Sequence, residues 1–235
     1  MTARNGTWLV LVGILLYLAE FVGMAIAGGY PYVEPGSSPG EAAAALDGLA
    51  EGAGFLVGWM AFVLTGRILV VIGLRAACGP SALLDWAVAA MTVSVALEVA
   101  SVASLAAASA SATGDGGADG VLPLVASAGF LETASVPPAG LAAVLCAIVM
   151  WRSRDFPRFL AVLGGFAGVV IVVSGLLPPS MRELADALSV AVMAWWAWAL
   201  WTGILLAVRT RRVGARRDDG AGGEPLHDSV GSSAD

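Results

Sequence analysis

The sequence predicts an all-α fold, a polytopic transmembrane helix bundle with six spans and both termini in the cytoplasm. First, 58% of the 235 residues are hydrophobic and only 13% are charged, against a charged share of about 25% in soluble domains. Second, six apolar runs reach the ~20 residues that a spanning helix needs. Third, the arginines fall almost entirely on one side of these runs, which fixes an orientation by the positive-inside rule.

The six apolar runs fill nearly all of residues 1–208 and are joined by short connections. The sequence therefore predicts one membrane domain, with no separate soluble module, followed by a tail at 209–235. The predicted spans cover about 7–27, 52–74, 83–106, 121–151, 159–177 and 181–208.

The first run carries Glu20 and ends in Ala25-Ile26-Ala27, which is similar to the end of a cleaved signal peptide. Its apolar region is longer than the roughly 7 to 15 residues of a signal peptide, which favours a retained span over cleavage. The segment 28–50 that follows is acidic and has no lysine or arginine. Within it, Ser38-Pro39-Gly40-Glu41 has the pattern of a capping box with proline at the first helical position. This pattern predicts a short outer helix before the second span.

Pairs of glycines four residues apart occur in two of the runs. Gly54 and Gly58 lie in the second run, and Gly164 and Gly168 lie in the fifth. Such pairs let the backbone of a neighbouring helix approach closely. We therefore expect a packing seam at each pair.

Prolines interrupt the fourth run and end the fifth. Because proline is tolerated best in the first turn of a helix, the fourth span either begins at Pro137-Pro138, after a shorter outer helix at 121–135, or is one long kinked span over 121–151. Pro178-Pro179 stop the fifth run. The residues that follow, Ser180 to Glu183, predict a second capping box at the start of the last span.

The connection at 114–120 is rich in glycine and aspartate. Carboxylates and glycines also occur in calcium loops, but this segment lacks the number of ligands that a calcium loop supplies. A solvated linker is therefore the favoured interpretation.

The arginines set the orientation. All twelve basic residues are arginines, and apart from Arg67, inside a span, they lie near the ends of the runs. Only Arg182 falls on the predicted outer side. The others fall on the opposite side, which the positive-inside rule assigns to the cytoplasm of a bacterial inner membrane; they are Arg4, Arg75, Arg152, Arg154, Arg158, Arg209, Arg211, Arg212, Arg216 and Arg217.

The tail at 209–235 is basic at first and then acidic, without hydrophobic periodicity. Its basic part is expected to lie against anionic lipid headgroups, at about 1 kcal/mol per arginine, and its remainder to be disordered. The arginines expected at the headgroups are Arg209, Arg211, Arg212, Arg216 and Arg217.

Three glutamates lie deep inside the predicted spans. A rise of 1.5 Å per residue places Glu20, Glu98 and Glu132 at roughly 20, 25 and 28 Å from the inner boundary, in the outer half. Ser94 and Ser101 share a helix face with Glu98. One hypothesis is that these five residues line an outward-facing cavity for a proton, a cation or a cationic small molecule. The other is that each glutamate is neutral or bonded to a serine and serves only to set helix register.

Arg67 is the one basic residue at depth. The same arithmetic places it roughly 12 Å and Asp85 roughly 6 Å from the inner boundary, whereas Glu98 is more than about 10 Å further out. The sequence therefore predicts a structural ion pair between Arg67 and Asp85. An Arg67 that reaches the membrane surface without a partner is the alternative.

The remaining sequence features exclude several classes of function and assign none. The chain has no lysine for a retinal Schiff base, and its single histidine, His227, lies in the tail. It lacks the phosphate-loop and dinucleotide fingerprints and any Ser-His or Ser-Lys pair within the spans. We therefore predict no enzymatic activity, no cofactor, no metal site and no nucleic-acid partner. The last run carries Trp195, Trp198 and Trp201 on one face, which suits either packing or a stacking surface for a ligand.

Two segments carry a family resemblance. Gly13-Ile-Leu-Leu-Tyr17-Leu in the first run, and the segment from Phe156 to Gly164 that leads into the fifth, resemble an uncharacterised bacterial family of six-helix integral membrane proteins of the domain-of-unknown-function type. The resemblance implies the six-span architecture over most of residues 7–208. It implies no activity and no functional residues.

Two functions remain open at this point. The first is a small transporter or permease-like component with an acidic cavity. The second is a regulatory or scaffolding membrane protein that acts through its cytoplasmic tail and through helix contacts with partner membrane proteins.

Overall fold

The computed structural model describes residues 3–26, 33, 37–49, 51–113 and 120–221. These residues form eight α-helices, and no strand occurs within this part of the chain. The helices are α1 (Ala3–Ile26), α2 (Pro39–Leu46), α3 (Ala53–Cys78), α4 (Ala82–Thr113), α5 (Val121–Arg152), α6 (Arg158–Leu176), α7 (Arg182–Ser189) and α8 (Ala191–Ala221).

Six of these helices are long and apolar enough to cross a membrane, namely α1, α3, α4, α5, α6 and α8. The predicted all-α bundle with six spans is confirmed. Large apolar side chains on the outer surface of the bundle, such as Phe62, Phe130 and Phe166, are more than half exposed. In a bilayer these side chains contact lipid. Because the number of spans is even, the start of α1 and the end of the α8 span lie on the same side.

The six spans pack in a closed ring. Each span contacts the next one along the chain, from α1 to α3, α4, α5, α6 and α8, and α8 returns to contact α1. Side chains from every span can therefore point into a shared interior.

Glycines bring α1 and α3 into backbone contact. A Cβ atom on Gly13 would lie 2.5 Å from the carbonyl oxygen of Gly66, and one on Gly6 would lie 2.7 Å from that of Gly73. Both pairs are seven residues apart on antiparallel helices, so they form one seam along two turns of each helix. This seam was not predicted.

The predicted seam at Gly164 and Gly168 is confirmed. A Cβ atom on Gly164 would lie 2.5 Å from the indole nitrogen of Trp198, and one on Gly168 would lie 2.7 Å from the carbonyl oxygen of Gly140. α6 therefore packs closely on both α8 and α5.

The predicted seam at Gly54 and Gly58 is wrong. A Cβ atom on either glycine would meet nothing within 4 Å. The contact between α1 and α3 uses Gly66 and Gly73 instead, which lie further along α3 and on the face that α1 covers.

α5 is one helix that continues through Pro137 and Pro138, so the long-span alternative holds and the span does not begin at the prolines. Proline lacks an amide hydrogen, so Pro137 and Pro138 leave the carbonyls of Thr133 and Ala134 without their usual donors within the helix. Gly175 of α6 lies against the Pro137 ring, where a Cβ atom would be 2.8 Å from the proline Cδ.

Of the two predicted capping boxes, the one at α2 is present in the structure and the one at α7 is not. Ser38 caps α2 in a complete capping box with Glu41, with proline at the first helical position. The second predicted box is wrong, because α7 begins after Met181, which makes no side-chain cap bond. A 3-10 turn at Pro179–Met181 replaces it.

The last predicted span, 181–208, is two helices. α7 ends at Ser189 and the spanning helix α8 begins at Ala191. α8 also continues past 208 to Ala221, through the basic part of the tail, for which no helix was predicted. The rest of that tail, 222–235, lies outside the described residues, as does 114–119 of the predicted linker.

Candidate functional site

Arg67 of α3 lies at the centre of a charge cluster within the ring. Its guanidinium binds Glu98 of α4 through both terminal nitrogens, with Nη2 at 3.0 Å from Oε1 and Nη1 on Oε2. Nη2 also lies 3.5 Å from the carboxylate of Glu20 on α1. The three side chains are only 10–18% exposed. One guanidinium therefore joins three spans.

Tyr17 of α1 extends this cluster to a fourth span. The Arg67 guanidinium carbon lies 4.3 Å from the centre of the Tyr17 ring, which is a cation–π contact. Trp196 of α8 stacks on the same ring, with the centroids 3.5 Å apart and the planes at 10°. The charge cluster and the α1–α8 contact that closes the ring are thus one continuous structure.

The predicted pair of Arg67 with Asp85 is wrong. Asp85 binds Arg75 instead, and both of those side chains are close to half exposed at the end of the bundle. The alternative of an unpartnered Arg67 is also wrong, because Arg67 binds two glutamates.

Helix bounds and side-chain direction explain the difference. Arg67 lies eleven residues before Cys78, where α3 ends, and Glu98 lies sixteen residues after Ala82, where α4 begins. Arg67 is therefore about 16 Å and Glu98 about 24 Å from the helix ends that meet at the α3–α4 turn. The two residues differ in depth by about 8 Å. Cα–Cβ bonds tilt toward the N-terminus of a helix. On antiparallel α3 and α4, this tilt brings Arg67 and Glu98 toward each other and turns Arg67 away from Asp85.

A cavity of about 180 Å³ lies beside the charge cluster, inside the ring. Residues from α3, α4, α5, α6 and α8 line it. Its polar lining consists of Arg67, Ser94, Glu98, Glu132 and Ser135, and its apolar lining consists of Met91, Val136, Ala139, Ile171, Val192 and Trp195.

The structure brings together three of the five residues predicted to share a cavity, which are Ser94, Glu98 and Glu132. Glu20 is buried beside the cavity and reaches it only through Arg67. Ser101 takes no part, because its hydroxyl donates to the Ala128 carbonyl at 2.8 Å and so links α4 to α5.

Two buried polar atoms of the cavity lining have no hydrogen-bond partner among the described residues. They are the hydroxyl of Ser94, which is 1% exposed, and Nε of Arg67. A buried polar group without a partner costs about 1–3 kcal/mol. A bound molecule or water in the cavity would satisfy the Ser94 hydroxyl.

The charges at the site do not balance when every group is ionised. Arg67 contributes one positive charge, and the two carboxylates that it contacts, Glu20 and Glu98, contribute two negative charges, which gives a sum of −1. The sequence indicated the carboxylates, but it did not assign Arg67 to them. The signal that could have done so is the position of Arg67 within an apolar run, because an arginine at such depth requires a carboxylate at similar depth.

The three tryptophans predicted to share one face have three different environments. Trp195 lines the cavity. Trp198 is fully buried against Trp195, with the ring centroids 4.7 Å apart. Trp201 is 53% exposed on the outer surface, beside Phe159. Only Trp195 is in a position to contact a molecule in the cavity.

Arg209, expected at lipid headgroups, has protein partners in the structure. Its Nη1 lies 3.6 Å from the carboxylate of Asp155, and its guanidinium carbon lies 5.7 Å from the centre of the Phe156 ring. These contacts hold the end of the α8 span against the connection between α5 and α6. The side chains of the other four tail arginines lie outside the described residues; they are Arg211, Arg212, Arg216 and Arg217.

The fold and the interior charge cluster define a multi-pass integral membrane protein with lipid around its six spans. No protein-family model, no curated protein and no solved structure matches this chain.

Proposed function

We propose that this protein is a small transporter, or the permease-like component of one, whose interior cavity takes up a cation or a proton. The observation that supports this proposal is the charge cluster beside the cavity, where two carboxylates, Glu20 and Glu98, share one guanidinium inside a ring of apolar helices.

Charges inside a membrane protein must be compensated, because an unpaired ion at that depth costs several kcal/mol. Arg67 binds both oxygens of Glu98 and so compensates that carboxylate. The carboxylate of Glu20 lies 3.5 Å from the same guanidinium. Glu132 lines the cavity from α5, which packs against α4. In this proposal a proton or a bound cation supplies the second positive charge that Glu20 and Glu98 together require.

Reversible compensation of this kind is the basis of ion-coupled transport. When a cation leaves, either a proton must replace it or the cluster must rearrange. Because Arg67 contacts α1 and α4 and its Tyr17 partner contacts α8, a change in charge at the cavity acts directly on the packing of four spans.

The proposed site of action is the outer half of a bacterial inner membrane. The arginine distribution supports an orientation with the end of α3 and the start of α4 in the cytoplasm. Glu98 lies about 24 Å along α4 from that end. The cavity would thus open toward the outside.

Charge movement in proteoliposomes tests the proposal. A step in pH or in cation concentration is applied to reconstituted protein on a solid-supported membrane, and the transient current is recorded. We expect a current with the unaltered protein and its loss in Glu132→Gln, which removes a charge at the cavity without removing a partner of Arg67. Glu183→Gln, on exposed α7, is the matched control and should keep the current.

If no cation and no pH step produces a current, the proposal is wrong. The same holds if Glu132→Gln and the unaltered protein give equal currents for every cation tested.

A regulatory or scaffolding role is the second candidate, and the length of α8 favours it. The helix continues twelve residues beyond Arg209, to Ala221, which is about 18 Å past the predicted membrane boundary. In this interpretation a cytoplasmic partner binds the extension. Truncation after Arg209 keeps the contact with Asp155, so a transporter should retain its current, whereas a regulator should lose its effect in cells.

A further inference from the structure

We propose that Glu20 is a reversible proton-binding site, at which a proton and Arg67 together compensate the two carboxylates of the charge cluster. This inference rests on the proposed function and deepens it, because it names a proton, and not a metal cation, as the ion that the transporter takes up.

The two carboxylates of the cluster do not share Arg67 equally. Glu98 binds both terminal nitrogens of the guanidinium, with Nη2 at 3.0 Å from Oε1 and Nη1 on Oε2. Glu20 has a single contact, in which its Oε2 lies 3.5 Å from the same Nη2. Because charge-assisted N–H···O bonds are usually about 2.7–2.9 Å long, Arg67 compensates Glu98 in preference to Glu20. Glu20 is therefore the carboxylate without a full counter-charge.

The guanidinium of Arg67 is held in this position by aromatic side chains. Its central carbon lies 4.3 Å from the centre of the Tyr17 ring, and Trp196 stacks on that ring with the centroids 3.5 Å apart. A move of the guanidinium toward Glu20 would break both bonds to Glu98 and leave Glu98 uncompensated instead. The second positive charge is therefore required at Glu20 itself.

Glu20 is buried, with 7% of its surface exposed. Within the described part of the chain, the charged groups that act on it are Arg67 of α3 and Glu98 of α4. Tyr17, on its own helix, is the other titratable group that faces the cluster, and α8 contributes the uncharged Trp196. A carboxylate at such depth requires a positive partner or a proton.

A proton suits this position better than a metal cation. A hard metal cation requires about six oxygen ligands, and here it would lie beside the positive guanidinium, since Nη2 already contacts both carboxylates. The adjacent backbone carbonyl, that of Ala19, accepts the indole N–H of Trp59 at 3.1 Å. A proton requires only one oxygen of Glu20, and it removes the negative charge without placing a like charge against Arg67.

Infrared spectroscopy detects this proton directly, because a protonated carboxyl group has a C=O stretching band that a carboxylate lacks. Difference spectra of the protein in lipid vesicles are recorded while the pH is raised from about 6, where exposed carboxyl groups are already ionised. We expect a carboxylic-acid band that disappears as the pH rises and returns when the pH is lowered again.

Aspartate variants assign the band, because they keep the ionisable group at each position and change only its place and length. The band should shift in Glu20→Asp and should stay in place in Glu98→Asp. Glu20→Gln has the shape of a protonated glutamate and should fold, but it should lack the band. Glu183→Gln, on exposed α7, is the control and should retain it.

Currents on a solid-supported membrane connect this site to transport. With the unaltered protein, a pH step should produce a current, whereas a sodium or potassium step at constant pH should not. The pH-step current should be lost in Glu20→Gln and kept in Glu183→Gln. Equal pH-step currents in the unaltered protein and in Glu20→Gln would overturn the inference.

The outcomes separate this inference from the proposed function. If no carboxylic-acid band responds to pH, or if the band shifts in Glu98→Asp and not in Glu20→Asp, the inference is wrong. If cation steps move charge at constant pH while pH steps do not, the inference is wrong and the proposed function stands. If the band is assigned to Glu20 but no step moves charge, the proton site stands and the proposed function is wrong.

Discussion

Arg67 and Glu98 lie thirty-one residues apart in the sequence and bind each other through two pairs of atoms across antiparallel helices. This contact fixes the register of α3 against α4, because a shift of one turn, about 5.4 Å, would separate the guanidinium from the carboxylate. Glu20 adds α1 to the same contact. The charge cluster therefore holds α1, α3 and α4 together and also forms one wall of the cavity.

Removal of one member of the charge cluster should destabilise the bundle strongly. Arg67→Gln leaves Glu98 and Glu20 buried without a counter-charge, and breaking a buried pair in this way costs about 3 kcal/mol or more. We expect a clear loss of thermal stability in detergent micelles, followed by circular dichroism. The double variant Arg67→Gln/Glu98→Gln should be more stable than Arg67→Gln alone, because it removes one of the two uncompensated charges.

The pair of Arg75 with Asp85 provides the matched control. Both side chains are 44–55% exposed, so Arg75→Gln should cost less than about 1 kcal/mol. Equal losses in Arg67→Gln and Arg75→Gln would contradict the structural role of the interior cluster.

The sequence was sufficient for the spans but not for their pairing. Apolar length alone defines six crossings, and a capping box alone defines the start of α2. The partner of Arg67 depends on quantities that single-sequence reasoning estimates poorly, since an error of four residues in the end of α3 moves Arg67 by about 6 Å. The direction in which side chains lean on antiparallel helices then decides between Asp85 and Glu98.

Glycine substitutions should distinguish the true packing seam from the apparent one. Gly73→Ala places a Cβ atom 2.7 Å from the carbonyl oxygen of Gly6, so α1 and α3 must separate, at about 1–3 kcal/mol. Gly58→Ala meets nothing within 4 Å and should be neutral or slightly stabilising, because alanine favours a helix. Thermal unfolding of the two variants in the same detergent makes the comparison. A larger loss in Gly58→Ala than in Gly73→Ala would be incompatible with the observed seam.

Two glycine motifs in this chain show that a sequence pattern alone does not establish a helix contact. Gly54-x-x-x-Gly58 and Gly164-x-x-x-Gly168 are the same pattern, yet only the second lies against a neighbouring helix. Which face of a span a neighbour covers depends on the whole ring, and the local sequence does not contain that information.

The stability of α2 should depend on pH through its cap. Hydrogen bonds from the backbone amide and the hydroxyl of Ser38, each 2.8 Å from the carboxylate, hold the pKa of Glu41 below its ordinary value of 4.5. A lowered pKa in the folded state means that the cap contributes fully above that ordinary value and is lost as the pH falls through the lowered one.

Hydrogen exchange measures this effect. Protection of the α2 amides, corrected for intrinsic exchange, should decrease as the pH is lowered below 4.5, while protection within the spans stays constant. Glu41→Gln should abolish the pH dependence. A pH dependence that persists in this variant would assign the effect to another group.

Cysteine labelling should establish the orientation. With Cys78 and Cys146 replaced, Glu41→Cys on α2 should react with a membrane-impermeant maleimide on intact cells, and Asp155→Cys should react only after permeabilisation. Both positions are exposed to solvent, so access is decided by the side of the membrane. The reverse pattern would invert the bundle and place the cavity near the cytoplasm.

The contact of α8 with α1 has a consequence for how the protein is made. Because α1 precedes α8 in the chain, Tyr17 can meet Trp196 only after all six spans have been made, and Trp195 completes the cavity at the same moment. Arg67 can bind Glu20 and Glu98 once the third span is inserted, so this arginine has its counter-charges in lipid before the cavity is complete. During synthesis, the pairing of Arg67 with its carboxylates therefore precedes the completion of the cavity.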